Sequence, residues 1–221
     1  NVLSVDGNLS INGTGTLNLI SAKKTGIKSD KTVFVFGTTL NISAGYYTTE
    51  EDCDGHGINA SAIYLDGAKI NITNCGKDGL HAEMDDSVTA FTTSNGFVYA
   101  TSTTLNITGC NGDGIQADTF VLIESGTYNI TTTPHWITAT SADDSCFKLS
   151  GTTYTKMPSD SITSSNYSNY YTMATSVKGI KAGEIDYDDA NGNEQTVEDG
   201  DYVITISGGT FDINSADDAI Q

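Results

Sequence analysis

Apolar and polar residues alternate along this chain in short bursts, and the bursts recur. "TLNLIS" (16–21), "TLNIS" (39–43), "KINIT" (69–73), "TLNIT" (104–108), "TYNIT" (127–131) and "TFDIN" (210–214) share one period-two pattern. Between them lie β-branched or aromatic runs: "VFVF" (33–36), "AIYL" (62–65), "VTAF" (88–91), "FVLI" (120–123) and "YVITI" (202–206). A third string is Gly, an aliphatic residue, a polar residue and a small residue, at 26–29, 57–60, 79–82, 114–117 and 179–182. Period two, β-branched residues and Gly, Asp and Ser punctuation predict strands. No segment has a convincing helical period.

A cycle that returns with variable spacers is a structural unit stacked on copies of itself. Three short strands per cycle of about 22 residues or more predict an all-β fold, a right-handed parallel β-helix, with successive coils about 4.8 Å apart. Alternation assigns the faces. Leu40, Ile42, Ile70, Ile72, Leu105, Ile107, Tyr128 and Ile130 are expected inside, as are Ile27, Ile58, Leu80, Ile115 and Ile180. The polar column Lys28, Asn59, His81, Gln116 and Lys181 is expected to face solvent. Gly26, Gly57, Gly79, Gly114 and Gly179 stand at the bend before that strand, where a positive φ or close backbone approach calls for glycine. The solenoid is expected to occupy 1–221 as one unit and to be part of a longer one, since the chain starts and stops in mid-pattern. Residues 133–176, with both prolines and the sole tryptophan, break the rhythm as an irregular aromatic-rich excursion.

The net charge of −18 and the absence of arginine argue against nucleic acid, which is bound through basic patches. No apolar run is long enough to insert into a bilayer. Four cysteines in such a composition lean towards disulfides and an oxidising compartment, hence a secreted or cell-surface protein. Cys53, Cys75 and Cys110 each precede the repeat glycine by four residues, which stacks them in one column. Cys53–Cys75 with Cys110–Cys146 uses all four, and a stack of buried thiols is the alternative. N-x-S/T sequons occur at Asn8, Asn12, Asn41, Asn59, Asn71, Asn106, Asn129 and Asn166. Asn41, Asn71, Asn106 and Asn129 occupy one repeat position, so glycans there would coat a single sheet.

The turns flanking the Gly-aliphatic strands are acidic. Asp54, Asp78 and Asp113 come before them, Glu83 and Asp118 after, and Asp217 and Asp218 near the end. Ionised carboxylates brought together by stacking repel unless a cation relieves them. Oxygen ligands without a nearby base favour Ca²⁺, although Asp is also simply a good turn residue. For sugars, Lys28 and Lys181 are suited to carboxylates, and His81, Asn59 and Gln116 to hydroxyls. In the excursion Trp136, Tyr154, Tyr167, Tyr170 and Tyr171 are suited to ring stacking, or to packing their own segment. No paired carboxylates across a cleft and no Ser–His–Asp or Cys–His arrangement appear, so catalysis is not expected.

"GNLSINGTGTLNLIS…TGIKSDKTVFV", "NGDGIQADTFVLIESGTYNI" and "KGIKAGE…ITISGGTFDINSADDAIQ" resemble the carbohydrate-binding-domain family of parallel β-helices. That family shares the pectate-lyase-like superfold and includes a clostridial surface protein that binds cellulose and acidic sugars such as polygalacturonate. The resemblance spans nearly the whole chain and is weakest over 133–176. It implies bound calcium and a polysaccharide partner without catalysis. Lyases of that superfold use an arginine base, which this chain lacks. An alternative is a structural subunit of an N-glycosylated extracellular filament or adhesive coat, assembled end to end; a third is a polysaccharide lyase.

Overall fold

The computed structural model describes residues 1–20, 24–45, 55–84, 93–142, 145–174, 176–183, 186–188, 191, 194–196 and 202–221. The chain divides into two compact units, Asn1–Thr133 with Val177–Gln221, and Pro134–Ser176. In the first unit, the Asp186–Asp188 and Glu194–Thr196 pair apart, every third strand returns to the same sheet, giving three parallel six-stranded sheets. This is the arrangement a parallel β-helix requires. Leu3–Val5, Ile27–Ser29, Ile58–Ala60, Leu80–Ala82, Ile115–Ala117 and Ile180–Ala182 form the first sheet. Leu9–Asn12, Thr32–Phe36, Ala62–Asp66, Phe97–Thr101, Phe120–Ile123 and Val203–Ile206 form the second. Thr16–Ile20, Thr39–Ser43, Lys69–Cys75, Thr103–Cys110, Gly126–Thr132 and Thr210–Asn214 form the third.

Like residues stack on like. Leu40 pairs in register with Ile70, Ile70 with Leu105, and Leu105 with Tyr128. Every aliphatic residue assigned inwards by alternation is at most 1% exposed. Tyr128 fills the position of a leucine in that column. Its hydroxyl donates to Ser125 O at 2.9 Å, and its ring stacks on Phe211 at 4.9 Å. The run "VTAF" (88–91) lies outside the described residues. The second-sheet strand of that coil is Phe97–Thr101, with Val98 beside Ile63 and Ala100 beside Leu65. None of the five repeat glycines has a positive φ. Close approach is what requires them: a Cβ on Gly79 would stand 2.6 Å from Gly114 O and 2.6 Å from Ile107 Cδ1.

On the outer face of the third sheet the asparagines form a ladder. Asn41 donates to Asn18, Asn71 to Asn41, Asn106 to Asn71 and Asn129 to Asn106, amide to amide, at 2.7–2.8 Å. Coil spacing matches the reach of an amide, so Asn41, Asn71 and Asn106 are each both donor and acceptor. Asn106→Ala removes two of these bonds and is expected to cost roughly 1–3 kcal/mol, at about 1 kcal/mol or somewhat more per bond. Urea denaturation checks it, with exposed Asn12→Ala as the near-neutral reference.

The second unit is ordered rather than irregular, and its strands join none of the parallel sheets. Trp136–Thr138, Tyr171–Met173, Phe147–Ser150 and Thr153–Lys156 form one antiparallel sheet in the order first, second, third, fourth as named. Gly151, at φ +63°, supplies the left-handed residue of the tight connection between the last two. Ala139, Cys146 and Ile162 make a small core of their own. Within the acidic segment 184–201, Asp186–Asp188 pairs antiparallel with Glu194–Thr196.

Candidate functional site

The polar column of the Gly-aliphatic strands is one continuous row on the first sheet. Lys28 lies beside Asn59, Asn59 beside His81, His81 beside Gln116, and Gln116 beside Lys181. It is less open than alternation predicts. Asn59 is 6% and Lys181 8% exposed, while Lys28, His81 and Gln116 are half-buried. Part of the reason is lateral pairing: the Asn59 amide donates to Glu83 Oε2 of the next coil at 3.2 Å. A polar cleft of about 340 Å³ opens at one end of the row, lined among others by Lys28, Asp30, Lys31, Asn59, Ser61 and Glu83.

Beside this row runs a second column, the residue before each repeat glycine: Thr25, His56, Asp78, Asp113 and Lys178. Each of the first four side chains meets the backbone N–H of the same position one coil on. His56 N–H donates to Thr25 Oγ1 at 3.4 Å, and Asp78 N–H faces His56 Nδ1 at 3.4 Å. Asp113 N–H donates to Asp78 Oδ1 at 2.6 Å, and Lys178 N–H to Asp113 Oδ1 at 2.5 Å. Turn amides that have no strand partner are satisfied in this way. Asp78 Oδ2 also lies 3.2 Å from His56 Nδ1 and 2.9 Å from His81 Nδ1.

These contacts set the charges. Burial alone would raise the Asp78 carboxyl, but hydrogen bonds and charge from His56 and His81 hold it well below its ordinary 3.8. Burial would lower His81, yet the bond to Asp78 and the charges of Asp78, Asp118 and Glu83 raise it above 6.5. Asp113 is pushed up to about 6 by burial and then by the Asp78 charge, against the Lys178 N–H, Lys181 and Lys178. Asp118 is also pushed up to about 6 by burial, although Met84 N–H donates to it at 2.7 Å.

A family model described as "Carbohydrate-binding domain-containing protein" matches residues 2–221. The chain belongs to that family. No curated protein and no solved structure matches it. Carbohydrate binding is therefore the frame in which its polar row and its acids are to be read.

For calcium, this carbohydrate-binding-domain protein brings only some of the expected acids together. Asp118 lies in the field of Glu83, and Asp113 in that of Asp78, but no three of these carboxylates bring their oxygens together among the described residues. Asp54 lies outside the described residues. Exposed Asp217 reaches Lys178 Nζ at 3.7 Å, and exposed Asp218 lends its backbone carbonyl to Gly179 N–H. Asp78 does not fit a calcium ion, because imidazoles and an N–H occupy its carboxylate. Asp113 and Asp118 each keep one oxygen beyond that bonded to a backbone N–H, and both are buried with charge incompletely offset, which fits a cation better.

Cys75 and Cys110 are register partners on neighbouring coils, and both side chains are buried. Burial and then Cys75 push the Cys110 thiol up. Cys53 lies outside the described residues, and Cys146 is a buried thiol in the second unit. In that unit Trp136 stacks on Tyr154 at 3.9 Å, and Tyr171 meets Tyr154 edge-on at 5.5 Å. Tyr170 and Tyr167 pack against the small core. These rings serve their own sheet first.

Among the sequons, Asn41, Asn71, Asn106 and Asn129 spend their amides on the ladder. Asn8 Oδ1 accepts from Thr32 N–H at 3.1 Å, Asn12 donates to Ser10 Oγ at 3.4 Å, and Asn166 bonds Thr163 N–H and Ser161 O. Two features go beyond the sequence expectations. One is His56, brought to Asp78 and His81 by column position. The other is an aromatic row on the second sheet, where Phe34 stacks on Tyr64 at 5.2 Å and Tyr64 meets Tyr99 at 5.7 Å. The aromatic residues Phe34 of "VFVF", Tyr64 of "AIYL" and Tyr99 of "FVYA", which stand in register, carry the signal for that row.

Proposed function

We propose that this protein is a non-catalytic, extracellular polysaccharide-binding right-handed parallel β-helix that takes cellulose-like or acidic glycans along the Lys28–Asn59–His81–Gln116–Lys181 row. The row itself carries the reading. It offers one polar side chain every 4.8 Å or so, a spacing close to the length of one sugar unit in an extended glycan. Its two lysines favour uronates, and the cleft at Lys28 and Asn59 is polar and open, suited to a hydrated polyol rather than an apolar ligand. Calcium belongs to the same reading at Asp118 with Glu83, and separately at Asp113, where a hard cation would offset carboxylates that burial leaves under-compensated. The strongly negative chain then binds an acidic glycan through its lysines and through bound cations.

Titration calorimetry with cello-oligosaccharides and oligogalacturonates tests this, with and without a chelator. Lys28→Ala and Gln116→Ala are each expected to weaken binding roughly tenfold, as a hydrogen bond to a ligand is worth about 1.5 kcal/mol when one partner is charged. Lys28→Ala is expected to penalise the acidic glycan more than the neutral one. Wild-type protein that binds neither glycan, or variants that bind as tightly as wild type, would overturn the reading.

A further inference from the structure

The two columns meet at one point that sugar binding does not explain. His56 and Asp78 are consecutive members of the column before the repeat glycine, and His81 enters the same space from the polar row three residues after Asp78. Their ligand atoms, His56 Nδ1, Asp78 Oδ2 and His81 Nδ1, lie within 4.8 Å of one another. The side chains are 9%, 9% and 16% exposed, and the imidazoles meet edge-to-face at 4.6 Å.

Hydrogen bonding alone satisfies this group poorly. Asp78 Oδ2 at 3.2 Å asks His56 Nδ1 to carry a proton, whereas the Asp78 N–H at 3.4 Å asks the same nitrogen for its lone pair. His81 Nδ1 lies on the same oxygen at 2.9 Å. A metal ion takes a lone pair from each of the three atoms and so needs no proton between Asp78 Oδ2 and either imidazole, giving up only the long 3.4 Å contact from Asp78 N–H to His56 Nδ1. Tetrahedral ligands bound at 2.0–2.2 Å stand roughly 3.3–3.6 Å apart, so the two contacts to Asp78, at 2.9 and 3.2 Å, need to lengthen by a few tenths of an ångström, while the two imidazole nitrogens, within 4.8 Å of each other, settle at the same separation. A second tier is already in place, since Asp113 N–H fixes Asp78 Oδ1 at 2.6 Å.

We propose that His56, Asp78 and His81 form a binding site for one divalent transition-metal ion of the zinc class. Two imidazole nitrogens and one carboxylate oxygen suit zinc, cobalt or nickel and not calcium. Three protein ligands leave a fourth position open, and His81, the most exposed of the three, marks the side from which an ion enters. The site stands whether or not the polar row binds sugar.

Zinc and cobalt added singly to metal-stripped protein test it. One equivalent is expected to bind, to raise the Tm, and with cobalt to give the intense visible bands of a tetrahedral site. His81→Ala and His56→Ala are each expected to weaken binding at least tenfold, and excess calcium is expected not to compete. Should either variant fail to fold, long-range nitrogen–proton spectra of the wild-type imidazoles decide. One equivalent of zinc must shift His56 and His81 and leave His135, the third histidine of the chain, unchanged. Unaltered affinity in both variants, displacement by calcium, or a response confined to His135 would overturn the proposal.

Discussion

Gly79→Val is expected to destabilise the fold by about 3 kcal/mol or more, beyond the usual 1–3 kcal/mol for overpacking a core. The obstacle is a backbone carbonyl. The added Cβ would stand 2.6 Å from Gly114 O and equally close to Ile107 Cδ1. The side chain of Ile107 can rotate away, but Gly114 O is held because its neighbour's strand pairs on both sides. Relief therefore requires the two coils to separate, and separation breaks the Leu80–Ile115 and His81–Gln116 pairs. Gly67 provides the contrast. It has φ +60° and nothing within 4 Å of a Cβ, so Gly67→Ala costs only left-handed strain, about 1–2 kcal/mol. Urea denaturation of the two variants separates the effects. Equal losses would mean that contact at Gly114 O does not set the coil spacing.

Repetition made most of this fold readable, and the misses fall where repetition ends or where residue type misleads. Ile72, Ile107 and Ile130 were assignable to the core because alternation on a stacked strand leaves one choice. The strand Phe97–Thr101 was not, because "VTAF" has the same β-branched and aromatic character and lies closer to Ala82. Local pattern cannot choose between two candidates separated by a turn of unknown length. Positions 136–173 hold a sheet that nothing else in the chain resembles, so its antiparallel pairing was out of reach. The row from Lys28 to Lys181 followed from spacing alone. Burial of Asn59 did not, since its partner Glu83 comes from the next coil. A search for acids finds Asp78 and Asp113 but passes over His56. Only counting back from each glycine places Thr25, His56, Asp78, Asp113 and Lys178 in one column, whatever their chemistry.

Asp78→Ala, in chelator, is expected to cost about 3–5 kcal/mol, the usual loss when one partner of a buried charged pair is removed. It strips His56 and His81 of their acceptor and leaves Asp113 N–H unsatisfied. The pH at which the loss is greatest follows from the two shifts. Asp78 is lowered from 3.8, so its contribution is present above about pH 4 and lost as pH falls further. His81 is raised from 6.5, so its contribution is complete below about pH 6.5 and lost as pH rises through the raised value. The difference between wild type and variant should therefore peak between these limits. Above pH 6 a second effect narrows it. Asp113 and Asp118, raised from 3.8 to about 6, bind more protons folded than unfolded, so metal-free wild type loses stability as pH rises from about 4 to 6. Part of the Asp113 shift comes from the Asp78 charge, and the variant is spared that part. Denaturation at pH 5 and pH 8 should give the larger difference at pH 5. The reverse order would show that the Asp78 carboxylate is held by the turn amide and not by the histidines.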